Sequence, residues 1–257
     1  MRNRLDRSQE TGIHLDWSKN ALPRLGATET FRTELPLALF GPERYEPRYE
    51  YPLIVWLHSC HSNERELETV MPLLSLQNYV ACAPRGTHAS EACGHKFFWG
   101  PTKIAASLAE EIIFASVDAA MKQFSIARNR VFLAGFGSGG SMAMRIGLRY
   151  PRDFAGAISI CGAFPQQGQP LSNLSDSREI PMLWMYGGQS KQCGVDHICS
   201  SLPLLHAARL SVDIRQYPCR DELLSNMLSD MNHWVMQQVT RQPTQPEGTV
   251  EESFSRN

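Results

Sequence analysis

The sequence predicts one α/β domain, built on a doubly wound and mainly parallel sheet with helices on both faces. Short runs rich in β-branched and aromatic residues alternate with longer stretches of helical period. Several of the short runs, LIVWL at 53–57, VFLA at 131–134 and MLWMY at 182–186, are apolar at every position, the pattern of strands buried on both faces. No internal repeat or low-complexity linker breaks the alternation, and 257 residues are enough chain to bury one sizeable core.

In chain order, strands are expected at Glu34–Phe40, Leu53–His58, Tyr79–Ala83, Arg130–Ala134, Gly156–Cys161, Met182–Tyr186 and Val212–Tyr217. Helices are expected at Asn63–Leu74, Ile104–Gln123, Ser138–Tyr150, Asp196–Leu210 and Glu222–Gln238, the first opened by Ser62 and Asn63 as caps. Residues 1–30 are polar and irregular, and Gln242–Asn257 combine Pro, Gln, Glu and Ser with little to bury. The domain is therefore placed at 31–241, with an irregular leading segment and a flexible tail.

Composition narrows the function classes. Lys and Arg number 25 against 26 Asp and Glu, a net charge of -1 that offers no global attraction to nucleic acid or an anionic membrane. The longest apolar runs fall short of the roughly 20 residues that span a bilayer, so no membrane span is expected. Seven cysteines, odd in number and scattered, do not read as a disulfide framework. Residues 9–19 are polar where a signal peptide would be apolar. Together these readings predict a cytoplasmic location.

The segment Val131–Gly140 passes from an apolar strand through a glycine-rich turn into a helical pattern, the shape of a nucleophile elbow, G-x-S-x-G. With Gly135 and Gly139 as the flanking glycines, the nucleophile position is Gly137, and the hydroxyl is displaced to Ser138.

Here the chain resembles the phospholipase/carboxylesterase branch of the α/β-hydrolases, the group of small carboxylesterases and acyl-protein thioesterases. The resemblance covers residues 30–240. It rests on Leu57-His58-Ser59, Ala83-Pro84-Arg85-Gly86, the elbow 135–140, Tyr186-Gly187-Gly188, Tyr217-Pro218 and the stretch Met227–Trp234. It implies a serine nucleophile, an acid in the loop after a late strand, and a general-base histidine after the last strand. Those roles fall on Gly137, Ser190 and Asp221, so none of the three chemistries is present. Acyl transfer needs a nucleophile deprotonated by an imidazole and a carboxylate that orients the imidazole. The oxyanion pattern H-G-x-G reads His58-Ser59-Cys60-His61, with the donor amides falling on Cys60 and Ser138. His58, His61, Phe98 and Trp99 are the implied pocket-lining residues.

Ser138 and Cys60 are the alternative nucleophiles. A register shifted to Ser138 would put Phe136 where the elbow needs a small residue, so Ser138 reads more simply as the cap of its helix. His58-Ser59-Cys60-His61 matches no recognised zinc spacing, and Cys93-Gly94-His95 and Cys193–Cys199 with His197 read as buried thiols and loop imidazoles. No metal or cofactor is expected. Glu64–Glu68 reads as a solvated helix face. The leading expectation is a pseudo-hydrolase that binds a small acyl ligand or serves as a scaffold, with self-association as relatives show. The second is an active esterase or thioesterase using Ser138 or Cys60 in a rearranged site.

Overall fold

A computed structural model describes residues 36–90, 94–165 and 174–240. The elements are β1 (Leu37–Phe40), β2 (Tyr51–Leu57), α1 (Glu66–Leu74), β3 (Val80–Pro84), β4 (His88–Ala89), β5 (Phe97–Phe98), α2 (Lys103–Gln123), β6 (Ile126–Phe136), α3 (Ser138–Arg149), β7 (Gly156–Ile160), α4 (Leu174–Ser177), β8 (Met182–Gly187), α5 (Val195–Ala208), β9 (Val212–Tyr217) and α6 (Ser225–Thr240). The seven-stranded sheet runs β1-β3-β2-β6-β7-β8-β9. Every pairing in it is parallel except that of the edge strand β1 with β3. The predicted fold class stands.

The uniformly apolar runs behave as expected of strands covered on both sides. Along β2, Leu53, Val55 and Leu57 face the layer of α2, α3 and α5, while Ile54 and Trp56 face α1 and α6. All seven β2 residues are buried. The second face is closed by Leu67, Val70 and Met71 of α1 and by Met227, Met231 and Trp234 of α6.

Each predicted strand and helix forms with modest shifts at its ends, except that Glu34, Leu35 and the segments 1–30 and 242–257 lie outside the described residues, as does Cys93. One shift has a local cause. The first helix starts at Glu66, not Asn63, and neither Ser62 nor Asn63 caps it. The Asn63 side chain accepts from Arg65 N–H at 2.9 Å in a tight turn, and Ser62 bridges to Phe97, so both are spent before the helix begins. The β4–β5 hairpin pairs His88 with Phe98 and Ala89 with Phe97. Two-residue strands carry too little periodicity to be foreseen.

Candidate functional site

Parallel strands gather their C-terminal ends at one edge of the sheet, and the loops leaving β2, β6, β7, β8 and β9 meet there. Between β6 and α3 the chain reverses at a single residue. Gly137 has φ 57° and ψ −119°, a conformation costly for any residue with a side chain. Its N–H donates to the Ile160 carbonyl at 2.8 Å, which ties the turn to β7. The helix that follows crosses β2 so closely that a Cβ on Gly139 would lie 1.9 Å from the Leu57 carbonyl oxygen. A Cβ on Gly137, in contrast, would meet nothing within 4 Å. The sharp turn is thus fully formed, and the space at its apex is open.

Ser138 does not cap the helix, contrary to the expectation from its position. It occupies the first helical residue, while the cap position belongs to Gly137, where the backbone turn falls. Its Oγ is buried and, among the described residues, has no hydrogen-bond partner. Among the described residues no imidazole is hydrogen-bonded to it.

The loops after β8 and β9 touch: a Cβ on Gly187 would sit 2.0 Å from the Arg220 carbonyl oxygen. Across this contact Ser190 Oγ donates to Asp221 Oδ1. The same hydroxyl accepts from the N–H groups of Cys193 at 2.8 Å and Gln192 at 3.1 Å. One donated and two accepted bonds exhaust a hydroxyl. Ser190 thus fastens its own loop and holds the Asp221 carboxylate, which is exposed.

The loop after β2 is held from beneath. His58 is wholly buried, its Nδ1 2.8 Å from the Ser59 carbonyl and its Nε2 accepting from Gly86 N–H at 2.8 Å. Gly86 N–H can only donate, so the proton of the neutral ring resides on Nδ1. Burial lowers the His58 pKa below its ordinary value, against the pull of the Ser59 carbonyl and the Glu66 and Glu64 carboxylates. Glu66, only 3% exposed, accepts from Trp56 Nε1 at 2.9 Å, from Ser59 Oγ at 2.6 Å and, with both oxygens, from Ser59 N–H at 3.1 Å.

The charged run 64–68 is accordingly not a solvated face. Glu64 and Glu66 turn inward, while Arg65 and Glu68 stay exposed. Arg85 grips Glu64 bidentately at 2.9 and 2.5 Å and lies 4.7 Å over the Phe97 ring. Burial raises the Glu64 pKa, but the Arg85 hydrogen bond and charge, the Glu64 backbone N–H and His58 together offset it and hold the carboxyl below its usual range.

Cys60 and His61 are exposed at the loop's tip. His61 keeps φ at 63°, a left-handed conformation that favours the glycine of the H-G-x-G pattern. Partial burial raises the Cys60 thiol, so its reactive thiolate is disfavoured at neutral pH. Trp99 is buried with its ring 5.6 Å from that of His58, and Phe98 is half-buried against His88. Among the described residues no three His, Cys, Asp or Glu side chains converge as metal ligands.

Two features gave no sequence signal. Cys161, at φ 52° beyond β7, lies 3.9 Å from the carbonyls of Arg220 and Glu222, and burial, with help from Cys219, pushes its thiol up to about 12. Beyond Ser190, an open cleft of about 480 Å³ is walled by Lys191, Asp196, His197 and Ser200. Its walls come from one loop and the first turns of α5, where, His197 apart, no residue type stands out.

The profile of the phospholipase/carboxylesterase family matches residues 102–238, a stretch holding the elbow, Ser190 and Asp221. The chain belongs to the phospholipase/carboxylesterase family. Within it, the probable carboxylesterase SOBER1-like of Arabidopsis thaliana is 25% identical over 111 residues, 42% of this chain and 42% of the relative. Carboxylesterase SOBER1 of the same plant is 23% identical over 111 residues, 42% of this chain and 49% of the relative. The match thus spans less than half the length of either relative.

Several solved structures share the fold. Arabidopsis thaliana SOBER1 superposes with a TM-score of 0.61 at 19% identity, covering 74% of this chain and 99% of its own. The Bacillus cereus carboxylesterase superposes at 0.64 with 16% identity, covering 80% and 96%. The Mesorhizobium loti carboxylesterase gives 0.65 and 16% over the same shares. At this identity the likeness establishes the architecture, and the chemistry has to be argued from the side chains.

Proposed function

We propose that this member of the phospholipase/carboxylesterase family is a catalytically impaired pseudo-hydrolase, whose remnant site holds a small acyl ligand or serves a scaffolding role. The reading takes residues 31–241 as the hydrolase domain and places the protein in the cytoplasm, self-association included. One observation carries it: the elbow keeps its strained backbone around a residue, Gly137, that has no side chain to attack with.

The neighbouring positions support the same reading. Ser190 and Asp221 bond to each other and, among the described residues, neither hydrogen-bonds to an imidazole. A carboxylate at the base position is weaker than an imidazole at taking a serine proton. The substitutes are poorly placed as well, since among the described residues Ser138 Oγ has no partner, and partial burial raises the Cys60 thiol and disfavours its thiolate. In a serine protease, removing the triad costs on the order of 10⁶ in turnover. What the oxyanion amides of Cys60 and Ser138 supply without a nucleophile is binding of an acyl oxygen.

The test compares turnover of short-chain p-nitrophenyl esters and acyl thioesters by the natural protein and by Gly137→Ser/Ser190→Asp/Asp221→His. The natural protein is expected at the background rate, and the restored variant about 10²-fold or more above it. Turnover by the natural protein that equals the restored variant's would overturn the reading.

A further inference from the structure

His58 joins several segments around the elbow through one protonation state. Its backbone abuts the first turn of α3, where a Cβ on Gly139 would lie 2.6 Å from the His58 carbonyl oxygen. Its ring ties Ser59 through Nδ1 and Gly86 through Nε2, each at 2.8 Å. Gly86 approaches so closely that a Cβ there would lie 2.9 Å from Nε2 and 2.9 Å from the Phe98 carbonyl oxygen. The Trp99 ring covers the imidazole at 5.6 Å. The loop carrying Cys60 and His61, the turn after β3 and the end of β5 therefore meet on a single buried side chain.

We propose that His58 is a proton-operated latch: neutral, it fastens the 58–61 loop to Gly86, and protonated, it releases that loop at the edge of the elbow. A proton arriving at Nε2 takes the lone pair that Gly86 N–H uses, and leaves two N–H groups facing each other across one bond length. The surrounding charges cannot absorb the imidazolium without rearrangement. Glu66 on α1 and Glu64 just before it attract the cation, while Arg85 beside Gly86 repels it. Glu66 is committed to Trp56 and Ser59, and Glu64 to Arg85. Either carboxylate must give up its own bonds to reach the ring. Burial outweighs both attractions and keeps the ring neutral near pH 7, so the latch is closed there and opens on acidification. The device acts on the loop's position and is independent of whether the site hydrolyses its ligand or only binds it.

Hydrogen exchange of the full chain, corrected for intrinsic rates, tests the latch between about pH 7.5 and about pH 5. Peptides covering 58–64 and 85–90 are expected to lose protection about ten-fold on acidification while β6 peptides keep theirs. His58→Gln, whose amide oxygen accepts from Gly86 N–H without titrating, is expected to keep the protection at both pH values. Unchanged protection in the natural protein, or the same loss in His58→Gln, overturns the proposal. If His58→Gln does not fold, the Gly86 amide and the His58 ring nitrogens are titrated by NMR in the natural protein. The proposal requires a shared midpoint, and a Gly86 resonance that stays put while the ring protonates contradicts it.

Discussion

Ser190 donates a hydrogen bond to Asp221 across the C-terminal ends of β8 and β9, joining two positions 31 residues apart in the chain. On the proposed reading these are the positions of the family's acid and general base. On that reading a hydroxyl stands at the acid position and a carboxylate at the base position, and the two bond directly. The pair binds two loops together, and among the described residues neither member hydrogen-bonds to an imidazole.

Ser190→Ala removes three hydrogen bonds, two within its own loop and one to Asp221 on the next, with Ser190 half-buried and Asp221 exposed. A destabilisation of about 1 kcal/mol is expected, read as a lower urea midpoint with unchanged slope. A loss indistinguishable from zero would mean that the pair is ornamental to the loop.

The two central glycines of the elbow differ in what they tolerate. Gly137→Ser places its side chain in open space at φ 57° and is expected to cost about 1–2 kcal/mol while folding normally. Gly139→Ala drives a Cβ into the Leu57 carbonyl and is expected to cost about 3 kcal/mol or more. Thermal melts of the two variants check the order, and equal melts would contradict the close crossing of α3 and β2.

Stability should fall in two acid windows. The folded pKa of His58 is depressed, so the unfolded chain binds its proton first, and stability drops as pH falls below 6.5. Glu64 is also held low, and its contribution is present above its ordinary 4.5 and lost as pH falls through the folded value. Urea midpoints across this range are expected to show both steps, the upper one missing in His58→Gln and the lower one reduced in Glu64→Gln.

Thiol chemistry should separate the cysteines by exposure. Cys60 and Cys199 are exposed, whereas Cys82, Cys161, Cys193 and Cys219 are buried with raised thiols. Brief alkylation of the native protein, mapped by peptide mass, is expected to mark Cys60 and Cys199 before these four. Early labelling of Cys161 would contradict its placement beneath the 220–222 segment.

The sheet was legible because its strands are apolar on both faces and its helices keep a clear period, as LIVWL and the 138–149 stretch show. The elbow was legible from the spacing of Gly135, Gly137 and Gly139: the first and last sit where strand and helix cross too closely for a Cβ, and Gly137 carries the positive φ of the turn. Glu66 was not, because a carboxylate inside a charged run reads as solvated until Trp56, ten residues earlier, turns its indole N–H toward it. The role of Ser138 was misjudged by one residue, since a cap is set by backbone angles that composition does not record. The bond between Ser190 and Asp221 depends on two loops meeting, and local pattern carries no such information.

On the proposed reading, no serine in this fold is activated. Incubation of the purified protein with a fluorophosphonate probe, followed by intact mass, tests it most directly beside Gly137→Ser/Ser190→Asp/Asp221→His and a Ser138→Ala control. No adduct is expected on the natural protein, and an adduct on the restored variant. A stoichiometric adduct on the natural protein that disappears in Ser138→Ala would make Ser138 a displaced nucleophile and contradict that reading.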